Sequence, residues 1–367
     1  MRTLKEKASV FRWLFGTLFF VILILNIGCA PKPASHVEQQ ADAAAAENEQ
    51  EKTPLEVHFL DVGQADSILI KTSDAAMLVD AGKNEDGKKV VTYLQQQGIT
   101  RLDYVVGTHP HEDHIGGLDD VIRSFDVENV ILPEKTHTSQ TYMDVLAAIQ
   151  EKGLQITQAN TGQEYQLGDA KITILSPKPG VDYGDNLNNW SIGIKLVYGD
   201  NSFVMAGDAE DAAERDIIGS GIDLKADVWK AGHHGSKTSN SEAMLDAVSP
   251  TYAVISCGVN NQYGHPDQEI LQRFAQHNIQ TFRTDQQGTI IASSDGAHIS
   301  WNTKEASMEA AQVPNKTEQD PTVYITKAGT KYHTDGCKYL KNSYIEVKLS
   351  EARNRGLEPC SVCNPPQ

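Results

Sequence analysis

His109, His111, Asp113 and His114 place three imidazoles and a carboxylate within six residues, in the order H-x-H-x-D-H. The group directly follows Tyr104-Val105-Val106-Gly107, an apolar run that reads as a buried strand, and Gly116-Gly117 opens the next segment. Folding gives no reason to concentrate such side chains on one loop. Metal binding does, because neutral imidazole and carboxylate are the usual ligands of zinc and similar divalent ions. The chain must therefore fold so that a rigid strand end presents this loop. His109 and His111 can share one ion while Asp113 and His114 face a second, roughly 4 Å away as in two-metal sites.

Other apolar runs end in the same kind of residue. Met77-Leu78-Val79 leads into Asp80-Ala81-Gly82, and Phe203-Val204-Met205-Ala206-Gly207 into Asp208. Val228-Trp229-Lys230-Ala231-Gly232 leads into His233-His234-Gly235-Ser236. Some eleven strand-like runs between residues 55 and 302 alternate with helical patterns, which predicts an α+β domain of many strands. If the polar strand ends share one rim of a sheet, they converge on the histidine loop.

These motifs together resemble the metallo-β-lactamase superfamily. Val57-His58-Phe59-Leu60-Asp61-Val62-Gly63-Gln64-Ala65-Asp66, Asn188-Asn189-Trp190-Ser191 and Asn261-Gln262-Tyr263-Gly264-His265-Pro266 narrow the resemblance to the hydrolase domain of ComEC-type DNA-uptake proteins. The resemblance covers about residues 55–302. It implies a four-layer αββα sandwich with a dinuclear site between its sheets. It further implies that His109 and His111 bind one metal, Asp113 and His114 the other, and that Asp208 bridges them. One of His233 and His234 completes the second site, and Asp80 orients the ligands. Many family members add a histidine where this chain has the Asn188 stretch, so the first site is expected to lack one nitrogen and to accept Mn²⁺ as well as Zn²⁺. The implied chemistry is attack on a phosphodiester by water activated between the metals, with Asp113 and Asp208 in the catalytic group. His265 or Lys230 is expected to stabilise charge or protonate the leaving group.

The ends of the chain read differently. Arg2, Lys5, Lys7 and Arg12 precede an apolar run from Trp13 to Ile27 that ends in Gly28-Cys29. Residues 1–29 resemble a bacterial lipoprotein signal, with Cys29 as the lipidation site and the mature protein anchored on the outer face of the cytoplasmic membrane. Residues 30–54 are rich in Ala, Glu, Gln and Pro and read as a flexible tether. Residues 303–320 read as a linker to a small module at 321–367. There, His333-x₃-Cys337 and Cys360-x₂-Cys363 have zinc-site spacing, and a module this small needs such a clip. The module resembles the metal-binding domain of the Ada DNA-repair protein, with His333 in place of the first of four cysteines. One structural Zn²⁺ is expected in it.

The formal charge of the chain is -17, which argues against a broadly basic nucleic-acid surface. The terminal module is the exception, with seven Lys/Arg against four acids, and is expected to hold DNA by its phosphates. The sequence thus points to an exported metal-dependent phosphodiesterase acting on DNA. The alternatives are hydrolysis of another diester, such as a phosphocholine ester, or a non-catalytic surface lipoprotein that binds nucleic acid.

Overall fold

The computed structural model describes residues 54–309 and most of 322–365. The expected signal, Cys29, the tether and most of the linker lie outside the described residues. Two large sheets form the framework. The first runs in the order Ile299–Trp301, Ile290–Ser294, Leu55–Phe59, Ser67–Lys71, Ala76–Ala81, Arg101–Val106, Asp126–Leu132 and Ile156–Gln158. The second runs Gln280–Arg283, Tyr252–Ile255, Val228–Lys230, Asn201–Met205, Gly193–Tyr198, Ala170–Ser176 and Glu164–Leu167.

Strand periodicity explains how these sheets pack. In Ala76–Ala81, Met77 and Val79 face the other sheet, while Ala76 and Leu78 face the helices. Val57, Phe59, Ile68 and Ile70 meet Ile172, Ile194, Leu196, Phe203 and Phe282 in the central core. Helices Gly87–Gln96, Leu118–Ser124 and Gln140–Glu151 cover the outer face of the first sheet. Asp211–Ile218, Glu242–Val248 and Gln268–Gln276 cover that of the second. The result is the expected αββα sandwich.

Ala76–Ala81 and Arg101–Val106 pair in parallel in one sheet, as do Asn201–Met205 and Val228–Lys230 in the other. Parallel neighbours point their carboxyl ends the same way, and polar groups gather there. That placement carries Asp80, the histidine loop, Asp208 and the His233–His234 pair to one rim.

Three details differ from expectation. The strands Ile156–Gln158 and Gln280–Arg283 carry too few apolar residues to read as strands. Residues 303–309 are packed rather than free linker: Ala306 N donates to Thr281 O, and Arg283, 1% exposed, donates to the carbonyls of Ser307 and Glu309. The terminal module has a small sheet, ordered Ile345–Lys348, Thr322–Ile325, Lys331–His333 and Glu358–Pro359. Its core is Val323, Ile325, Tyr332, Val347, Leu349 and Ala352. Among the described residues, no helix is long and apolar enough to cross a membrane.

Candidate active site

Thr108 is the pivot of the histidine loop. Its N–H and hydroxyl donate to the two carboxylate oxygens of Asp80, at 2.8 and 2.7 Å. Asp80 Oδ2 also lies 2.7 Å from His114 Nδ1. A carboxylate accepts, so the Nδ1 proton is fixed and Nε2 turns to the opposite side, 3.2 Å from Asp208 Oδ2. Asp80 has φ 59, the left-handed region that L-residues seldom adopt. Both its oxygens are engaged, so it orients His114.

His109 is held on the other flank. Its Nδ1 lies 3.2 Å from both Thr108 Oγ1 and Ser191 Oγ, and its Nε2 lies 2.9 Å from His111 Nδ1. Ser191 also accepts the N–H of Asp208. The expected shortage of a histidine in this stretch thus coincides with a serine that binds an existing one. Asn188 leans on Glu210 instead.

The pair His233–His234 separates in space. His234 Nε2 is 3.4 Å from Asp113 Oδ2 and 3.8 Å from Asp208 Oδ2, and its Nδ1 lies 3.0 Å from the Ser256 carbonyl. His233 is more exposed; its Nδ1 bonds Thr238 Oγ1 and its Nε2 lies 3.6 Å from Asp208 Oδ2. The two residues have φ 50 and 54, which turns adjacent side chains to different sides. Asn240 pins this turn, accepting from Gly232 N and donating to the Gly232 and Ser236 carbonyls. The geometry therefore groups His234, not His233, with Asp113 and His114.

The electrostatics follow from burial and mutual pairing. Burial alone would strip His114 of its proton, but the Asp208 and Asp80 carboxylates outweigh it and hold the imidazole well above the usual histidine range. His234 is pushed up to about 10, because Asp208, Asp113 and Asp66 outweigh its burial. Burial opposes ionisation of Asp208 too, yet His114 and His234 hold it well below the carboxylate range. Burial, reinforced by the charge on His114, drives His109 well below the ordinary value.

These residues fit a pair of divalent ions. His114 Nε2 faces Asp208 Oδ2 at 3.2 Å and His234 Nε2 faces Asp113 Oδ2 at 3.4 Å, neither in good hydrogen-bond geometry, while Asp208 Oδ1 is buried without a partner; buried imidazoles and carboxylates converging this way suit shared cations. One group is His109, His114 and Asp208; another is Asp113, His114 and His234. His111 faces His109 across 2.9 Å.

Lys230 does not fit its expected role. It is 1% exposed, and its Nζ donates to the Ala231 carbonyl and pairs with Asp66 Oδ2 at 3.0 Å. It cannot reach a leaving group and serves instead in a buried ion pair. Asp66 Oδ1 in turn faces His234 Nδ1 at 3.5 Å. His265 does stand at the open side, its ring 5.8 Å from that of His233. Burial lowers it to about 4, so the ring is neutral near pH 7. Sequence reasoning missed Thr108, Asp66, Asn240 and Glu210 as supports. Asp66 closes the Val57–Asp66 motif, which was the available signal for it.

In the terminal module His333, Cys337, Cys360 and Cys363 bring one ligand atom each within 4.8 Å of the others. All three cysteines are free thiols, and Thr334 N donates to Cys363 Sγ. Three sulfurs and one imidazole suit a structural zinc site.

Residues 60–259, more than half the chain, match the sequence profile of the metallo-beta-lactamase superfamily. ComE operon protein 3 of Bacillus subtilis is 32% identical over 64% of this chain and 32% of its own length. Recombination protein 2 of Haemophilus influenzae is 29% identical, over 73% and 30%. Competence protein ComA of Neisseria gonorrhoeae is 31% identical, over 63% and 31%. The chain therefore spans about a third of the length of these relatives.

Proposed function

The chain belongs to the metallo-beta-lactamase superfamily, and we propose that within it the protein is an exported, metal-dependent phosphodiesterase whose substrate is DNA. The observation that carries this reading is the meeting of His109, Asp113, His114, Asp208 and His234 at one rim, with His111 2.9 Å from His109 and the Asp208 Oδ1 atom buried without a partner. Relatives named for competence and recombination support a nucleic-acid substrate. The apolar run before Gly28-Cys29 supports export with a lipid anchor at Cys29.

Those six side chains would hold the two ions, Zn²⁺ or Mn²⁺. When bound, such ions neutralise charge on a phosphoryl oxygen and activate water. The chain's own residues do the rest. Asp80 and Thr108 fix His114 in one tautomer and one orientation. Ser191 fixes His109, and Ser256 and Asp66 fix His234. His233 and His265 stand at the open side, where each can donate one hydrogen bond to a substrate oxygen. His333, Cys337, Cys360 and Cys363 would clip the terminal module around a third ion, and its basic residues would hold DNA by phosphate contacts.

The test uses purified protein with Mn²⁺ or Zn²⁺ against bis-p-nitrophenyl phosphate, p-nitrophenyl phosphorylcholine and nitrocefin, with Asp208→Ala as control. Metal-dependent hydrolysis of the first supports a phosphodiesterase. Preference for the choline ester selects the alternative diester, and inertness toward both diesters overturns the reading.

A further inference from the structure

One aromatic face at the open side has no structural task. Tyr263 is 61% exposed and Val259, on the same loop, 68%. The Tyr263 ring lies parallel to His265, with centroids 5.9 Å apart and planes 16° apart. His265 in turn meets His233 edge-on at 5.8 Å, and His233 Nε2 lies 3.6 Å from Asp208. A run of rings therefore leads from solvent to the ligand cluster.

The loop that carries Tyr263 is fixed. The buried Asn261 amide donates to the Gly258 and His265 carbonyls and accepts from the N–H groups of Tyr263 and His265. Gly258 N donates to Gln64, and Asp267 N to the Gly235 carbonyl. Gly235, at φ 83, approaches so closely that a Cβ there would stand 2.6 Å from Pro266 Cβ. A large ring held on a rigid loop binds without much loss of freedom.

We propose that Tyr263 is a stacking platform for a nucleobase, which seats the adjoining phosphodiester over the His109–Asp208 cluster. This rests on the phosphodiesterase reading and narrows its substrate to nucleic acid with unpaired bases. A flat, single, open face suits a flat partner. A choline headgroup is held by a cage of several aromatic faces, and Trp190, on the other loop that reaches the site, is only 9% exposed. His233 also borders, through Thr238 and Glu210, a cavity of about 560 Å³ in which Arg215, Lys237 and Arg273 are balanced by Glu210, Asp211 and Glu242.

The test is calorimetric binding of a phosphorothioate-linked thymidine dinucleotide to the full chain, with and without Mn²⁺. An abasic sugar-phosphate dimer with the same linkage serves as reference. Stacking one base should favour the dinucleotide by about 5- to 150-fold. Tyr263→Ala should abolish that preference and Tyr263→Phe should keep it. Equal binding of both ligands by the unaltered chain overturns the proposal, as does a preference that survives Tyr263→Ala. Binding of phosphocholine that depends on Tyr263, without preference for the dinucleotide, also overturns it. Hydrolysis of bis-p-nitrophenyl phosphate by the unaltered chain, scored in parallel, reports on the phosphodiesterase reading separately.

Discussion

Replacing Lys230 with methionine separates a structural role from a catalytic one. The Lys230 ammonium and the Asp66 carboxylate are both about 1% exposed and 3.0 Å apart. Burial opposes the charge on Asp66, but Lys230 and then His234 hold the carboxyl below its usual range. Removing the ammonium leaves a buried carboxylate facing His234 without its cation. Breaking one side of a buried pair costs about 3–5 kcal/mol. For a domain of this size each kcal/mol moves Tm by about 2–4 °C, so Lys230→Met should unfold roughly 6–20 °C lower. Replacing both partners by apolar groups of similar volume is often neutral or better, so Lys230→Met combined with Asp66→Leu should recover most of that loss. Thermal unfolding followed by circular dichroism measures both. A Lys230→Met protein that unfolds at the original temperature but has lost diester hydrolysis would refute the structural assignment and restore Lys230 to the chemistry.

Other consequences follow from the same contacts. Asp80→Asn keeps the size of the side chain but weakens its hold on His114, and should reduce metal affinity about 10- to 100-fold with little change in circular dichroism; unchanged affinity by metal titration would contradict the positioning role. His58 is buried between Tyr93 and Glu56, and burial lowers its ionisation below 6.5 despite Glu56. The unfolded chain then binds the extra proton first, so His58's share of stability is complete above about pH 6.5 and declines as pH falls below it. His58→Gln should flatten the slope of Tm between pH 6.5 and 5, and parallel slopes would count against it. Deleting residues 321–367 should weaken DNA binding and reduce its salt dependence, as read by anisotropy in a salt series; an unaltered slope removes the module from DNA binding.

Much of the framework was legible because its signals are local. Runs such as Met77–Val79 and Phe203–Ala206 are wholly apolar and lead within two residues into ligand-type side chains. Asp80, Asp208 and the histidine loop therefore announced both the strand and the rim. Strands such as Ile156–Gln158 and Gln280–Arg283 were not legible, since sheet pairing overrides their weak local pattern. The choice between His233 and His234 was closed to sequence reasoning, because it depends on two successive left-handed residues pinned by Asn240. Lys230 misled for a related reason. At a strand end a lysine reads as reaching outward, and only the distant Asp66 beneath it turns it inward. Ser191 lies in the Asn188-Asn189-Trp190-Ser191 motif, but its bond to His109 spans 82 positions.

If the six ligand-type side chains at the rim form a metal-dependent centre, as proposed, the protein should cut DNA. Cleavage of a 5′-labelled single-stranded oligonucleotide by the Mn²⁺-loaded chain, resolved on a gel beside Asp208→Ala and a chelated control, tests it most directly. The loaded protein should yield shorter fragments, and both controls should leave the oligonucleotide intact. Intact oligonucleotide with the loaded protein under Mn²⁺ and Zn²⁺ alike, or fragments from Asp208→Ala at the unaltered rate, would contradict it.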